Sequence, residues 1–320
     1  MFRNGHIQTL AGTYLYAPWE GRRPFVANNV STTGEVPLID GDRLVYHDDC
    51  PAEWKSGDRV ALLLHGLTGS HTSPYMSRVG RKLNDQGVRT FRLDWRGCGA
   101  GTALARFPYH SGRSDDVFAT IAEIKVRCPD SPICVIGFSM GGNIALKLLG
   151  ERVNDAEIDR SIAICPPIDL STTVKSLWKG LARLYDRYFT KACIRDVRNR
   201  YQLRPDAIIP EGWFSRLPKT MYEFDDSFTA PVCGFASAMD YYAKSSAHQF
   251  LPEVKASTLI IAAQDDPVIP FGQFVVAQYS PTTQLLAPKH GGHIGFVTPR
   301  GLGWLDQQIV DWTIRGNVSA

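Results

Sequence analysis

Six short apolar runs recur along the chain with helix-length segments between them: VALLL (60–64), TFRLDW (90–95), ICVIG (133–137), SIAIC (161–165), TLIIAA (258–263) and QLLAP (284–288). Each is continuous rather than alternating, which suits a strand buried on both faces, and several carry β-branched residues. Between them lie helical patterns. After Ser114, an expected N-cap, Val117, Ile121, Ile124 and Cys128 fall on one face. Alternating strand and helix predicts an α/β fold with a mostly parallel central sheet and helices on both faces. Ahead of the runs, VPLIDGDRLVYHD sets a DGD turn between two strand-like pieces, an antiparallel hairpin for one sheet edge. Leu305, Ile309 and Trp312 share a face of a closing helix.

The alternation breaks once, at about 168–250. SLWKGLARLYDRYFTKACIRDVRNRYQLRPDAIIP reads as helical and then turns irregular around Pro205, Pro210, Pro218 and Pro231. We read residues 1–320 as a single domain with a largely helical insertion here. It is expected after the fifth core strand, folded as a lid over the C-terminal edge of the sheet. Along its first helix Lys175, Lys179, Arg183, Arg187 and Lys191 recur every fourth residue as one cationic stripe. Opposite run Leu177, Trp178, Leu181, Leu184, Tyr185 and Tyr188, a face suited to covering an acyl-binding cavity. Such a stripe also suits peripheral contact with an anionic membrane surface or an anionic substrate.

Composition narrows the class. The 320 residues are 44% hydrophobic, enough for a substantial core, and 35 basic against 32 acidic residues leave a net charge of only +3. No global field therefore points to nucleic acid as a partner. Seven cysteines without CxxC spacing argue for reduced thiols and against a structural zinc site. The start, MFRNGHIQTLAG, lacks the apolar stretch of a secretion signal, and no apolar run approaches a membrane span. The expectation is a soluble, cytoplasmic protein with no cofactor and no metal.

The third of the six runs ends in GFSMG, residues 137–141, which fits GxSxG. In that motif a serine occupies a strained strand-to-helix turn, flanked by glycines because a β-carbon would collide with neighbouring backbone. Ser139 is the candidate nucleophile, and the N-terminus of the following helix favours negative charge above it. A serine hydroxyl needs a base, and histidine has the suitable pKa. Eight histidines compete. His293, in KHGGHIGF just past the last strand, is chosen, with His290 as its rival; His47, His71 and His248 read as exposed or structural. The acid that orients the base should fall between serine and histidine in the chain. AAQDDPVIP follows an apolar strand and offers Asp266, with Asp265 as an alternative and Asp169 a more distant one. Two fixed N–H donors must hold the oxyanion formed on attack: Met140, directly after the serine, and Leu67 in the HGLTGS loop.

Together these segments resemble the α/β-hydrolase superfamily, and within it the YheT-like branch that includes the plant embryogenesis-associated proteins. The resemblance rests on NGHIQTL (4–10), LLLHGLTGS (62–70), RGCG (96–99), YHSGRSDD (109–116), GFSMGGN (137–143), FDDSFTAPVCGF (224–235), DYYAKSS (240–246), DDPVIP (265–270) and GGHIGF (291–296), which span nearly the whole chain. It implies the α/β-hydrolase fold, Ser139 as nucleophile, His293 as base and an aspartate of the DDP pair as acid. It also implies hydrolysis of carboxylic esters, with acyl transfer to alcohols in some relatives. Relatives commonly carry residues ahead of NGHIQTL, including a membrane anchor in eukaryotic members, so anchoring is not carried over to a sequence in which only Met1, Phe2 and Arg3 precede Asn4.

RGCGAGT (96–102) lacks GxGxxG spacing and reads as a tight turn beneath the active-site entrance, not as a nucleotide cradle. Asp115 and Asp116 read as charges at a helix start, and Asp225 and Asp226 as ties between insertion and core. The expectation is a serine esterase acting on a small-molecule ester, short- to medium-chain acyl esters favoured, through an acyl-enzyme. Acyl transfer, lysophospholipid hydrolysis and a noncatalytic ligand-binding protein are the alternatives, and the oligomeric state stays open.

Overall fold

The computed structural model describes residues 3–12, 30–153, 157–298, 301 and 303–318. Eight strands form one sheet: β1 (Val30–Pro37), β2 (Arg43–Cys50), β3 (Val60–Leu64), β4 (Arg89–Asp94), β5 (Ile133–Phe138), β6 (Arg160–Ile164), β7 (Ser257–Ile261) and β8 (Thr283–Leu286). They lie in the order β1-β2-β4-β3-β5-β6-β7-β8. β2 is antiparallel to both β1 and β4, and all other pairs are parallel. The DGD segment turns the β1–β2 hairpin with Gly41 at φ +84°, where a side chain is disfavoured.

Period-two alternation along each strand sends neighbouring residues to opposite faces, so each strand feeds two cores. On one face Leu62, Leu64, Phe91, Leu93 and Val135 pack against α3 (Ser114–Arg127) and α4 (Met140–Glu151). On the other, Leu63, Ile136, Ile162, Leu259 and Ile261 meet Met76, Val79 and Leu83 of α2 (Pro74–Asn84). The same core takes in Leu305, Ile309 and Trp312 of α8 (Gly303–Arg315). A short α1 (Gly5–Leu10) opens the chain, capped by the Asn4 side chain.

Between β6 and β7 lie α5 (Leu170–Ser176), α6 (Ala182–Leu203) and α7 (Ala238–Ser245), with shorter helical turns among them. This insertion has an apolar cluster of its own, in which Ile194, Val197, Trp213, Phe224 and Phe228 are buried together.

Several local expectations need correction. The insertion follows β6, the fourth of the parallel runs and not the fifth. Ser114 does not cap α3; it is the first helical residue, and its hydroxyl donates to Glu151 at 2.6 Å. The cationic stripe is not one helical face, because Gly180 at φ +51° separates α5 from α6 and splits Lys175 and Lys179 from Arg183, Arg187 and Lys191. Asp116 is buried against Arg96 at 2.7 Å, an ion pair rather than a dipole partner alone. Asp225 and Asp226 tie the insertion to itself, accepting from Tyr242 at 2.7 Å and from the Ala238 amide at 2.9 Å.

All seven cysteines are free thiols. Among the described residues no helix is long and apolar enough to cross a membrane.

Candidate active site

β5 ends at Phe138 and α4 begins at Met140, leaving Ser139 alone in the corner. Its φ of 49° and ψ of −117° are a backbone state that non-glycine residues avoid. What holds the strain is packing: a β-carbon on Gly137 would come within 2.4 Å of the Gly141 carbonyl oxygen, and one on Gly141 within 2.5 Å of that of Leu64. The Ser139 amide donates to the Ile164 carbonyl at 2.8 Å, pinning the turn to β6.

Three distant stretches of chain meet at this corner. His293 Nε2 lies 3.0 Å from Ser139 Oγ, and its Nδ1 lies 2.9 Å from Asp266 Oδ2. With Nδ1–H donated to the carboxylate, Nε2 is free to accept from the hydroxyl. The imidazole is 10% exposed and the carboxylate 2%, so the pair is shielded yet reachable. Asp266 Oδ1 accepts the amides of Val268 and Ile269 at 2.8 and 3.0 Å, which fixes the carboxylate plane. Beside them the Cys165 thiol is fully buried, and burial pushes its pKa well up.

Asp265, the alternative acid, faces elsewhere. Its Oδ1 accepts the amides of Gly291 and Gly292, each at 2.9 Å, and its Oδ2 meets His290 Nδ1 at 3.1 Å. Asp265 and His290 therefore shape the loop that carries His293. Asp169 caps α5 by accepting from Thr172. His47 and His71 both contact Asp94, at 3.3 and 2.7 Å, away from Ser139.

Leu67 sits in the loop after β3. The amide on one side of it, Gly66, donates to Tyr75 Oη at 3.0 Å, and that on the other, Thr68, to Tyr109 Oη at 3.1 Å. The Leu67 amide thus lies between two amides that are already engaged. His65 is fully buried behind the loop, where its Nε2 accepts from the Trp95 amide and burial lowers its pKa to about 4. It is a neutral structural ring. Met140, the other expected donor, is the first residue of α4, directly after Ser139.

The N-terminal segment contributes what motif reading did not assign. Thr9 Oγ1 accepts the His293 amide at 2.8 Å, and Gln8 forms two hydrogen bonds with the Val297 backbone at 3.1 and 2.6 Å. The glycines of GGHIGF permit this approach: β-carbons on Gly292 and Gly295 would lie 2.4 Å from the Gly5 and 2.3 Å from the Gln8 carbonyl oxygens. The available signal was the polar pair QT between Ile7 and Leu10 in a short helical turn.

Above Ser139 opens a cavity of about 670 Å³ whose walls include Leu67, Met140, His293 and much of the insertion. Leu181, Leu184 and Tyr188, all more than half exposed, edge it together with Leu10.

Sheet order, elbow and loop placement together are those of one large class. The family model for the alpha/beta hydrolase fold matches residues 60–299, and the chain belongs to that family. Over 97% of its length it is 29% identical to the Escherichia coli protein named "Putative esterase YheT", covering 90% of that protein. It is 25% identical to the embryogenesis-associated protein EMB8 of Picea glauca over 97% of this chain and 70% of that one, which puts it on the YheT-like branch. The Saccharomyces cerevisiae monoacylglycerol lipase is 25% identical over 96% of this chain and 77% of its own. Among solved structures, the Pyrococcus furiosus esterase Pf2001 superposes with a TM-score of 0.60 at 18% identity, over 91% of this chain and 94% of that one, a likeness of fold.

Proposed function

We propose that this protein is a serine hydrolase that cleaves carboxylic esters through an acyl-enzyme, with Ser139, His293 and Asp266 as its catalytic residues. The observation that carries the reading is the unbroken contact series from hydroxyl to imidazole to carboxylate, at 3.0 and 2.9 Å, on a strained turn. A strained serine corner has no use in a passive binding protein. Ser139 Oγ attacks the ester carbonyl while His293 Nε2 takes its proton, and Asp266 stabilises the imidazolium that forms. The amides of Leu67 and Met140 hold the oxyanion, and loss of one such donor costs about 3 kcal/mol of barrier. His293 then protonates the departing alcohol. A water molecule, deprotonated by the same imidazole, releases the acid. An alcohol in place of that water would give acyl transfer.

The insertion acts as a lid: its apolar wall favours acyl chains, short- to medium-chain esters first. The relatives named esterase and lipase support the same class. Leu181 and Leu184 at the cavity edge, beside Arg183 and Arg187, support peripheral contact with an anionic lipid surface, which salt-sensitive binding to anionic liposomes would test.

Ser139→Ala tests the chemistry. It should lower turnover of p-nitrophenyl esters by several decades, about 10⁶ in the best-studied triad, with melting temperature unchanged. Wild-type turnover in that variant would remove Ser139 from the reaction.

A further inference from the structure

The cavity wall contains a buried cation for which the described residues provide no salt bridge. Arg200, near the C-terminal end of α6, is 3% exposed and lines the same cavity as Ser139. Its Nε and Nη2 are buried and make no hydrogen bond. The guanidinium carbon lies 5.8 Å from the centroid of the Phe228 ring. The other buried arginines are treated differently: Arg96 meets Asp40, Asp42 and Asp116, Arg92 meets Asp49, and Arg78 meets Asp306.

The carboxylates nearest to hand do not fill the gap. Asp196, one turn earlier and on the same wall, comes within 3.8 Å of Arg195. Asp225 is engaged by Tyr242 and Thr229. Asp42, close enough to act on the guanidinium, already accepts from Arg96 and from the amides of Arg106 and Phe107. Room for the side chain is nonetheless kept open, since a β-carbon on Gly97 would fall 2.8 Å from Arg200 Cδ. A second guanidinium shares a neighbour with it: Arg113 has a buried, unpartnered Nε, and both arginines act on the Cys233 thiol.

A buried guanidinium without a counter-charge is expensive, and evolution seldom leaves one facing an apolar cavity unless a ligand completes it. Burial works against its charge, lowering its pKa. Arg200 and Ser139 line one continuous cavity, and Tyr109, whose hydroxyl accepts the Thr68 amide beside Leu67, is close enough to act on the guanidinium.

We propose that Arg200 is a specificity residue that binds an oxyanion on the substrate, so that the preferred ester is an amphiphile carrying a phosphate or carboxylate group besides the scissile ester. This rests on the serine hydrolase reading. A planar guanidinium with two unpartnered nitrogens matches either oxyanion bidentately, and the cavity that Arg200 and Ser139 both line accommodates the chain that joins the two groups.

The test measures binding, so it does not depend on turnover. Decyl phosphate, decanoate and 1-decanol, none of which is an ester of a carboxylic acid, are titrated calorimetrically into the wild-type protein and into Arg200→Met and Arg200→Lys. One or both anions should bind about 10- to 100-fold more tightly than the alcohol to the wild type. Arg200→Met should erase that preference, while Arg200→Lys keeps part of it. The tighter anion identifies the source, phosphate or carboxylate. Equal binding of 1-decanol and both anions to the wild type would overturn the proposal, even if Arg200→Met does not fold. So would an anion preference that survives in Arg200→Met. Fluorophosphonate labelling of Ser139 in the same preparation reports separately on the hydrolase reading.

Discussion

The rim of the sheet and the insertion above it hold their polar groups in opposite ways. At the rim the acidic and hydroxyl groups around the corner are committed: Asp266 to His293 and two amides, Asp265 to His290 and two amides, and Thr9 to the His293 amide. In the insertion Arg200 has two orphan N–H groups, and Asp225, held by a tyrosine and a threonine, has its carboxyl pushed up to about 7 by burial. A preorganised rim fixes reacting atoms in advance, as transition-state stabilisation requires. An incompletely satisfied insertion leaves its electrostatics to be completed by what it binds.

Crowding at the rim gives the sharpest way to break this contrast. Gly141→Ala would push a β-carbon to 2.5 Å from the Leu64 carbonyl oxygen and shift the serine turn. It should cost about 100-fold or more in kcat/KM and about 1–3 kcal/mol of stability, read by kinetics and denaturant melts. Glycine-to-alanine exchange at Gly234 of the insertion, where a β-carbon meets nothing within 4 Å, should leave kcat/KM near wild type and cost only the strain of its φ of +79°.

The two regions should also respond oppositely to pH. His65 behind the rim has a folded pKa of about 4 against an ordinary 6.5, so the unfolded chain binds the extra proton. Its contribution is complete above pH 6.5 and declines as pH falls toward 4. Asp225 has a folded pKa of about 7 against 3.8, so here the folded chain holds the proton. That contribution is complete below pH 4 and is lost as pH rises through 7. Asp225→Asn should flatten the loss of stability between pH 5 and 8 by of order 2 kcal/mol, and His65→Gln should flatten the acid side, both read as melting temperature against pH. Unchanged slopes would show that neither group titrates as its burial dictates.

A smaller effect belongs to the N-terminal segment. Thr9 positions His293 through its amide and touches no substrate, so Thr9→Val should lower kcat about 10-fold with KM little changed, and Thr9→Ser should restore it. Failure of serine to rescue would assign Thr9 to packing instead.

What the sequence disclosed follows the same divide. Strands buried on both faces are continuous apolar runs, and the serine corner needs glycines at fixed offsets, so sheet and elbow were legible from local pattern. Sequence left Asp265 open beside Asp266, because adjacent residues of one turn carry the same local pattern; the structure puts the Asp266 carboxylate 2.9 Å from the His293 imidazole and Asp265 against His290. The insertion was legible only as an interruption. Gly180 broke a helix that its charge periodicity ran straight through, and Arg200 looked like one cation among many until its surroundings were known. Long-range partners such as Thr9 and His293, 284 residues apart, leave no local periodicity at all.

The central claim is that Ser139 is made nucleophilic by its contact with His293. Incubation with a fluorophosphonate followed by peptide mass analysis tests it most directly: one phosphonyl group should appear on the peptide containing Ser139, and labelling should slow by orders of magnitude in His293→Ala. A wild-type protein that stays unmodified, or that labels equally fast without the imidazole, would contradict it.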